Sequence, residues 1–85
     1  MAAAHVTEKD EQSEKKIALN EVPQAAVNGA KTQLTSITKA EVVKLKDGRT
    51  VYEIRGQRND HRTVELYVSA DGQVLGTEHG DRDKD

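Results

Sequence analysis

The chain has no cysteine, no tryptophan and no phenylalanine, a single proline, and two tyrosines as its only aromatic residues. Without cysteine there is no disulfide framework, no thiol nucleophile and no cysteine-ligated zinc site. Scarce aromatics leave few platforms on which nucleic-acid bases could stack. They also mean that the core has to be assembled from Val, Leu, Ile and Ala. No apolar run approaches the roughly 18 residues that suggest a membrane span. A large excess of one charge is missing too, the formal net charge being −2 over 85 residues. A chain this short buries only about 60% of the surface that it exposes when unfolded. Marginal stability is expected, and a homodimer or a protein partner would relieve it.

The near-neutral total hides a gradient. Between Lys44 and Arg62 stand Lys44, Lys46, Arg49, Arg55, Arg58 and Arg62 against Asp47, Glu53 and Asp60. A basic strand region can track phosphates, but here acids interrupt it and aromatics are few. Nucleic-acid binding is therefore not expected; a mixed-charge surface is ordinary for a small domain.

Ala40 to His79 organises the chain. Four short runs rich in Val, Ile, Leu, Thr and Tyr are separated by Asp47-Gly48, Asn59-Asp60 and Asp71-Gly72, the pattern of a β-meander. A two-residue loop at Asp47-Gly48 would pair Leu45 with Thr50, Val43 with Tyr52 and Glu41 with Ile54. A three-residue loop at Arg58-Asn59-Asp60 would place Val64 opposite Ile54, and the last turn would set Leu75 opposite Val68. One face then carries Val43, Leu45, Tyr52, Ile54, Val64, Leu66, Val68 and Leu75.

A helix is expected to cover that face. Asn20 suits its N-cap, Glu21 the positive end of the dipole, and Pro23 a first turn. Val22, Ala26, Val27, Ala30 and Leu34 come next at the spacing of one helical face, ending at Thr35-Ser36. Gly29 leaves a flat spot for close approach. The expected fold is α+β: one main helix packed on one face of a four-stranded antiparallel β-meander, with flexible charged termini. Residues 1–16 read as a disordered or frayed arm, 17–79 as the domain, and 80–85 as a disordered charged tail. Met1-Ala2-Ala3-Ala4 looks like the remnant of an Ala-x-Ala cleavage site, a hint of export.

The order of these motifs resembles the PepSY-like family, a group related to the β-lactamase inhibitor protein. The residues carrying the resemblance are Glu21 to Val27, Ala40-Glu41, Asp47-Gly48 with Val51-Tyr52-Glu53, and Leu66 to Leu75 around Ala70-Asp71-Gly72. It implies a periplasmic or secreted module with helical cover on a four-stranded antiparallel sheet. The inhibitor looks like two such units gripping an enzyme with a concave sheet; this chain has one, so β-lactamase inhibition itself does not carry over.

Little else carries chemistry. His61 and His79, at one end of the sheet with Asp60 and Glu78, could be drawn as a zinc or copper site, but loop histidines ordinarily face water. Asp81, Asp83 and Asp85 alternate as in a calcium loop, without its central glycine or closing glutamate. Glu41 reads as a charge satisfied near Lys39. Ser13, Ser36 and Ser69 lie in no nucleophile motif, and the chain is short for a pocket of about 300 Å³. No catalytic residue, cofactor or metal is expected, and the protein reads as a non-enzyme. The expected role is a small exported protein-binding module that inhibits or regulates a partner through the uncovered sheet face. Val42, Lys44, Lys46, Arg49, Val51, Arg55 and Tyr67 would form that face. The alternatives are a homotypic assembly module, using the sheet face or an edge, and an envelope metal or stress sensor resting on the histidines.

Overall fold

Among the described residues five strands, not four, form one antiparallel sheet in chain order: β1 (Glu11–Ile17), β2 (Ser36–Leu45), β3 (Thr50–Gln57), β4 (Thr63–Val68) and β5 (Val74–His79). The structure is a computed structural model describing residues 5–79; the expectations for Met1 to Ala4 and for residues 80–85 lie outside them.

The three hairpins between β2 and β5 have one build. Leu45 N–H donates to Arg49 O at 2.8 Å, Arg58 N–H to Arg62 O at 2.9 Å, and Ser69 N–H to Gln73 O at 2.9 Å. Each encloses three residues, and the third is left-handed: Gly48 at φ 96°, His61 at 69° and Gly72 at 100°. Such loops pair a type I turn with a left-handed residue. Asp47 and Asp60 reinforce theirs by accepting the N–H of Arg49 and Arg62, both at 3.0 Å.

The extra loop residue corrects the expected register. Lys44 pairs with Thr50, Val43 with Val51 and Val42 with Tyr52. Side chains alternate along a strand, so a slip of one residue turns every side chain of β2 to the other face. Val43 and Leu45 therefore face away from Tyr52 and Ile54. Between β3 and β4 the loop has the expected three residues but lies one position later, at Asn59-Asp60-His61, so Val64 opposes Gly56 rather than Ile54. Leu75 falls in the irregularity between the Val68–Val74 and Tyr67–Gly76 pairs, while His79 does lie opposite Val64.

The helical segment is shorter than the periodicity suggests. Proline disfavours helical geometry in the residue before it, and Val22 is extended (φ −80°, ψ 134°). Leu19–Glu21 accordingly makes a separate 3-10 turn, held by Ala18 N–H donating to Glu21 Oε1 at 2.9 Å. The helix α1 spans Gln24–Lys31 only. Its face is nonetheless the expected one: Val22, Ala26, Ala30 and Leu34 are buried with Ala40, Ile54, Val64, Leu66 and Val68. At Gly29 a Cβ would sit 2.1 Å from the Gly72 carbonyl oxygen, so the β4–β5 loop is what approaches the helix.

A second core lies on the other face, where no cover was expected. Val6, 1% exposed, packs with Val43, Leu45, Val51 and Tyr67. Its N–H donates to Leu75 O at 2.8 Å, and the chain passes so close to β5 that a Cβ on Gly76 would lie 2.0 Å from the Val6 carbonyl oxygen. From there a 3-10 turn, Glu8–Asp10, with a Thr7–Asp10 capping box, leads into β1. Residues 6–10 thus form a strap across one end of the sheet. In β1, expected within a disordered arm, the five central side chains are exposed, so no hydrophobic period could announce it. It is held by backbone pairing with β2, and its charges suit an edge.

Candidate functional site

The register collects carboxylates on the strapped face. Glu41 of β2 is the direct cross-strand partner of Glu53 of β3, an arrangement that is repulsive when both are charged. Beside them Glu65 of β4 is bound by Arg55, whose Nη1 lies 3.0 Å from Glu65 Oε2. From β1, Glu11 and Glu14 complete the cluster. Three residues apart, they would point to opposite faces of a regular strand. The irregularity between Glu11 and Ser13 absorbs one residue and turns both to the same side. One oxygen from each of Glu11, Glu14 and Glu53 lies within 4.8 Å of the other two.

Burial sets the electrostatics of this cluster. Glu53 is 8% exposed, and its Oε1 has no hydrogen-bond partner among the described residues. Loss of hydration, with Glu65 and Glu41 close by, pushes its carboxyl up to about 10. Glu11 is raised to about 7, chiefly by burial and by Glu14, although the Tyr67 hydroxyl donates a hydrogen bond to its Oε2. Glu41 is raised by burial, with Glu14 adding to the shift. The Tyr67 hydroxyl is itself raised by burial beside these acids. The cluster can therefore hold protons, or a cation in their place.

The residues expected to form one protein-binding face do not share a surface. Val51 and Tyr67 are buried beneath the strap, at 1% and 0% exposure. Arg55 is on their side of the sheet, facing Glu65. The slipped register sends Val42 and Lys44 to the helix side, while Lys46 and Arg49 lie in the β2–β3 loop, with Arg49 Nε 2.9 Å from Asp47 Oδ2. Glu41, expected on the helix side, is among the carboxylates instead. Glu11 and Glu14 were missed because they sit in a stretch without apolar period. The one available signal for Glu53 was its place between Tyr52 and Ile54 at the middle of a central strand.

On the helix side, α1 covers part of the sheet and leaves the β1–β2 flank open. An apolar groove of about 220 Å³ runs between helix and sheet, lined by Leu19, Val22, Val27, Ile37, Ala40 and Ile54, with Lys31 at its rim. Leu19, 44% exposed, is the one exposed large hydrophobic among the described residues. Lys15 pairs with Val42, Val42 with Tyr52, and Lys44 with Thr50, so half-buried Val42 and Tyr52 extend the groove between exposed lysines. Neither Lys15, Lys31 nor Lys44 makes an ion pair with a described residue.

Two further hollows of about 370 Å³ exceed the expected size limit. One, polar, lies among Lys31, Thr32, Thr35, Arg58 and Asn59; the other lies where His5 passes β5. The carboxylate cluster lines none of the three. Comparison of the chain with protein-family models, with curated proteins and with solved structures finds no match.

Proposed function

We propose that the protein is a small binding module, not a catalyst, and that it docks an acidic segment of a partner protein on the groove beside α1. The observation that carries this reading is the exposed Leu19 above an apolar groove, bordered by lysines with no anionic partner among the described residues. A solvated groove of this composition gains free energy by accepting an apolar side chain. Uncompensated lysines around it steer and orient negative charge. The carboxylates line none of the three hollows described above, which supports a binding role over an acid–base one. Inhibition or regulation of the partner is the consequence we favour. Export to the periplasm or beyond belongs to the same proposal and rests on the PepSY-like resemblance.

The test is selection from a displayed peptide library, with NMR mapping of the selected peptides. Peptides with a bulky apolar residue between acids should shift Leu19, Ile37, Val42 and Tyr52. Lys31→Glu with Lys44→Glu should weaken them by tenfold or more, with a steep loss in salt. Selected peptides that map to the strapped face, or bind regardless of these charges, would overturn the reading. If the wild type self-associates and the lysine variants do not, the occupant is a second copy of the chain.

A further inference from the structure

We propose that Glu11, Glu14 and Glu53 form a binding site for a hard divalent cation, with Ca2+ the preferred ion. The site lies on the face opposite the docking groove and stands or falls independently of it.

Three features converge on this assignment. The first is the donor set. Three carboxylates, each with an oxygen within 4.8 Å of the others, offer only hard oxygen ligands, which suit Ca2+, Mg2+ or Mn2+ rather than soft metals. The second is the unsatisfied group. Glu53 is more than nine-tenths buried and its Oε1 is without a hydrogen-bond partner among the described residues. A buried carboxylate oxygen normally has a partner, and a cation would supply one. The third is local backbone design: without the β1 irregularity, Glu11 and Glu14 could not face the same way. Bulges that re-aim a side chain are commonly found at functional positions.

The surroundings complete the site. Tyr67, wholly buried, donates its hydroxyl proton to Glu11 Oε2 and so holds that carboxylate in place, as outer partners of metal ligands do. Burial is graded from enclosed Glu53 through half-buried Glu11 to exposed Glu14. The enclosed end fixes the ion and the open end leaves positions for water. Ca2+ accepts six to eight oxygens in irregular geometry, whereas Mg2+ demands a near-ideal octahedron. Ligands from two strands, one of them the irregular β1, fit the former. A bound ion would also tie β1 to the sheet centre, adding to its backbone pairing with β2 and the Tyr67–Glu11 hydrogen bond.

The experiment uses the full chain, freed of metal by chelator and titrated with CaCl2 at pH 8, against NaCl of equal ionic strength. The expected result is one saturable site with a dissociation constant on the order of 0.1–1 mM, the range of extracellular modules. The unfolding midpoint should rise by about 10 °C at a hundredfold excess over that constant. Glu53→Gln keeps the shape, and in chelator it should fold at least as well as the wild type, since an amide needs no proton taken up on folding at pH 8, yet lose the Ca2+ shift. Glu14→Gln, at an exposed position, should weaken binding by tenfold or more without changing the midpoint in chelator. Failure to saturate by about 10 mM Ca2+, or an undiminished shift in folded Glu53→Gln, would overturn the proposal.

Discussion

His61 stands where the two sister hairpins have glycine, at φ 69°. A side chain in the left-handed region costs roughly 1–2 kcal/mol, though histidine tolerates it better than most. Glycine would relieve that strain, at an entropic cost in the unfolded chain of about 0.4–1 kcal/mol. His61→Gly is therefore expected to stabilise the protein by about 0.5 kcal/mol, a rise of about 2–4 °C in the unfolding midpoint. A fall on calorimetry would mean that the imidazole makes a compensating contact. The same substitution removes one of the two histidines considered for a metal site, and binding of Ca2+ at the carboxylates should not change.

The strap is the element with the least redundancy. Val6 is its one buried side chain, and its course depends on Gly76 having no Cβ, since one would lie 2.0 Å from the Val6 carbonyl oxygen. Gly76→Ala should displace the strap, break the bond from Val6 N–H to Leu75 O, and expose Val43, Leu45, Val51 and Tyr67. A loss of about 2 kcal/mol is expected, comparable to exposing one aliphatic side chain together with its hydrogen bond. Amide exchange reads this directly: Val6 N–H should lose protection while β3 and β4 keep theirs. Retained protection at Val6 would show that β5 can move aside. β1 belongs with the strap, since Asp10 O accepts Lys46 N–H at 2.9 Å and ties the two to β2.

The whole molecule carries opposite characters on its two faces, lysines around an apolar groove on one and carboxylates on the other. The carboxylate face makes the stability of the metal-free protein depend on pH in an uncommon direction. Glu53, raised to about 10, and Glu11, raised to about 7, hold protons in the folded state that the unfolded chain has released above its ordinary 4.5. Their contribution is complete below about pH 4.5 and is lost as pH rises through the folded values. For Glu53 the loss approaches about 1.4 kcal/mol per pH unit. Asp47, held below its ordinary 3.8 by hydrogen bonds from Arg49, works the other way, and only at lower pH. In chelator, the thermal midpoint is expected to be higher at pH 5 than at pH 8.5, and Glu53→Gln should remove most of the difference. Stability rising over that interval would mean that the cluster is ionised and compensated in the folded protein.

Composition and local chemistry were enough to establish an antiparallel meander from β2 to β5, the dipeptides that lie in its turns though not the loop bounds, and the helical face of Val22, Ala26 and Ala30. These are local properties: turn residues and apolar period act within a few positions of chain. Three decisions were not local. Loop length differed by one residue from the two-residue reading of Asp47-Gly48, and a period of two converts that difference into an exchange of faces for the whole of β2. The fifth strand had no apolar side to announce it, because an edge strand paired through its backbone needs none. The cover over the second face is one valine, unreadable until the chain is seen to return across β5. The carboxylate site depends on the first two, and on the irregularity in β1 as well. Glu11, Glu14 and Glu53 meet only because β1 pairs with β2, β2 is turned over, and an irregularity re-aims Glu11. Side chains far apart in the sequence become neighbours through backbone hydrogen bonding, and only the tertiary structure decides that.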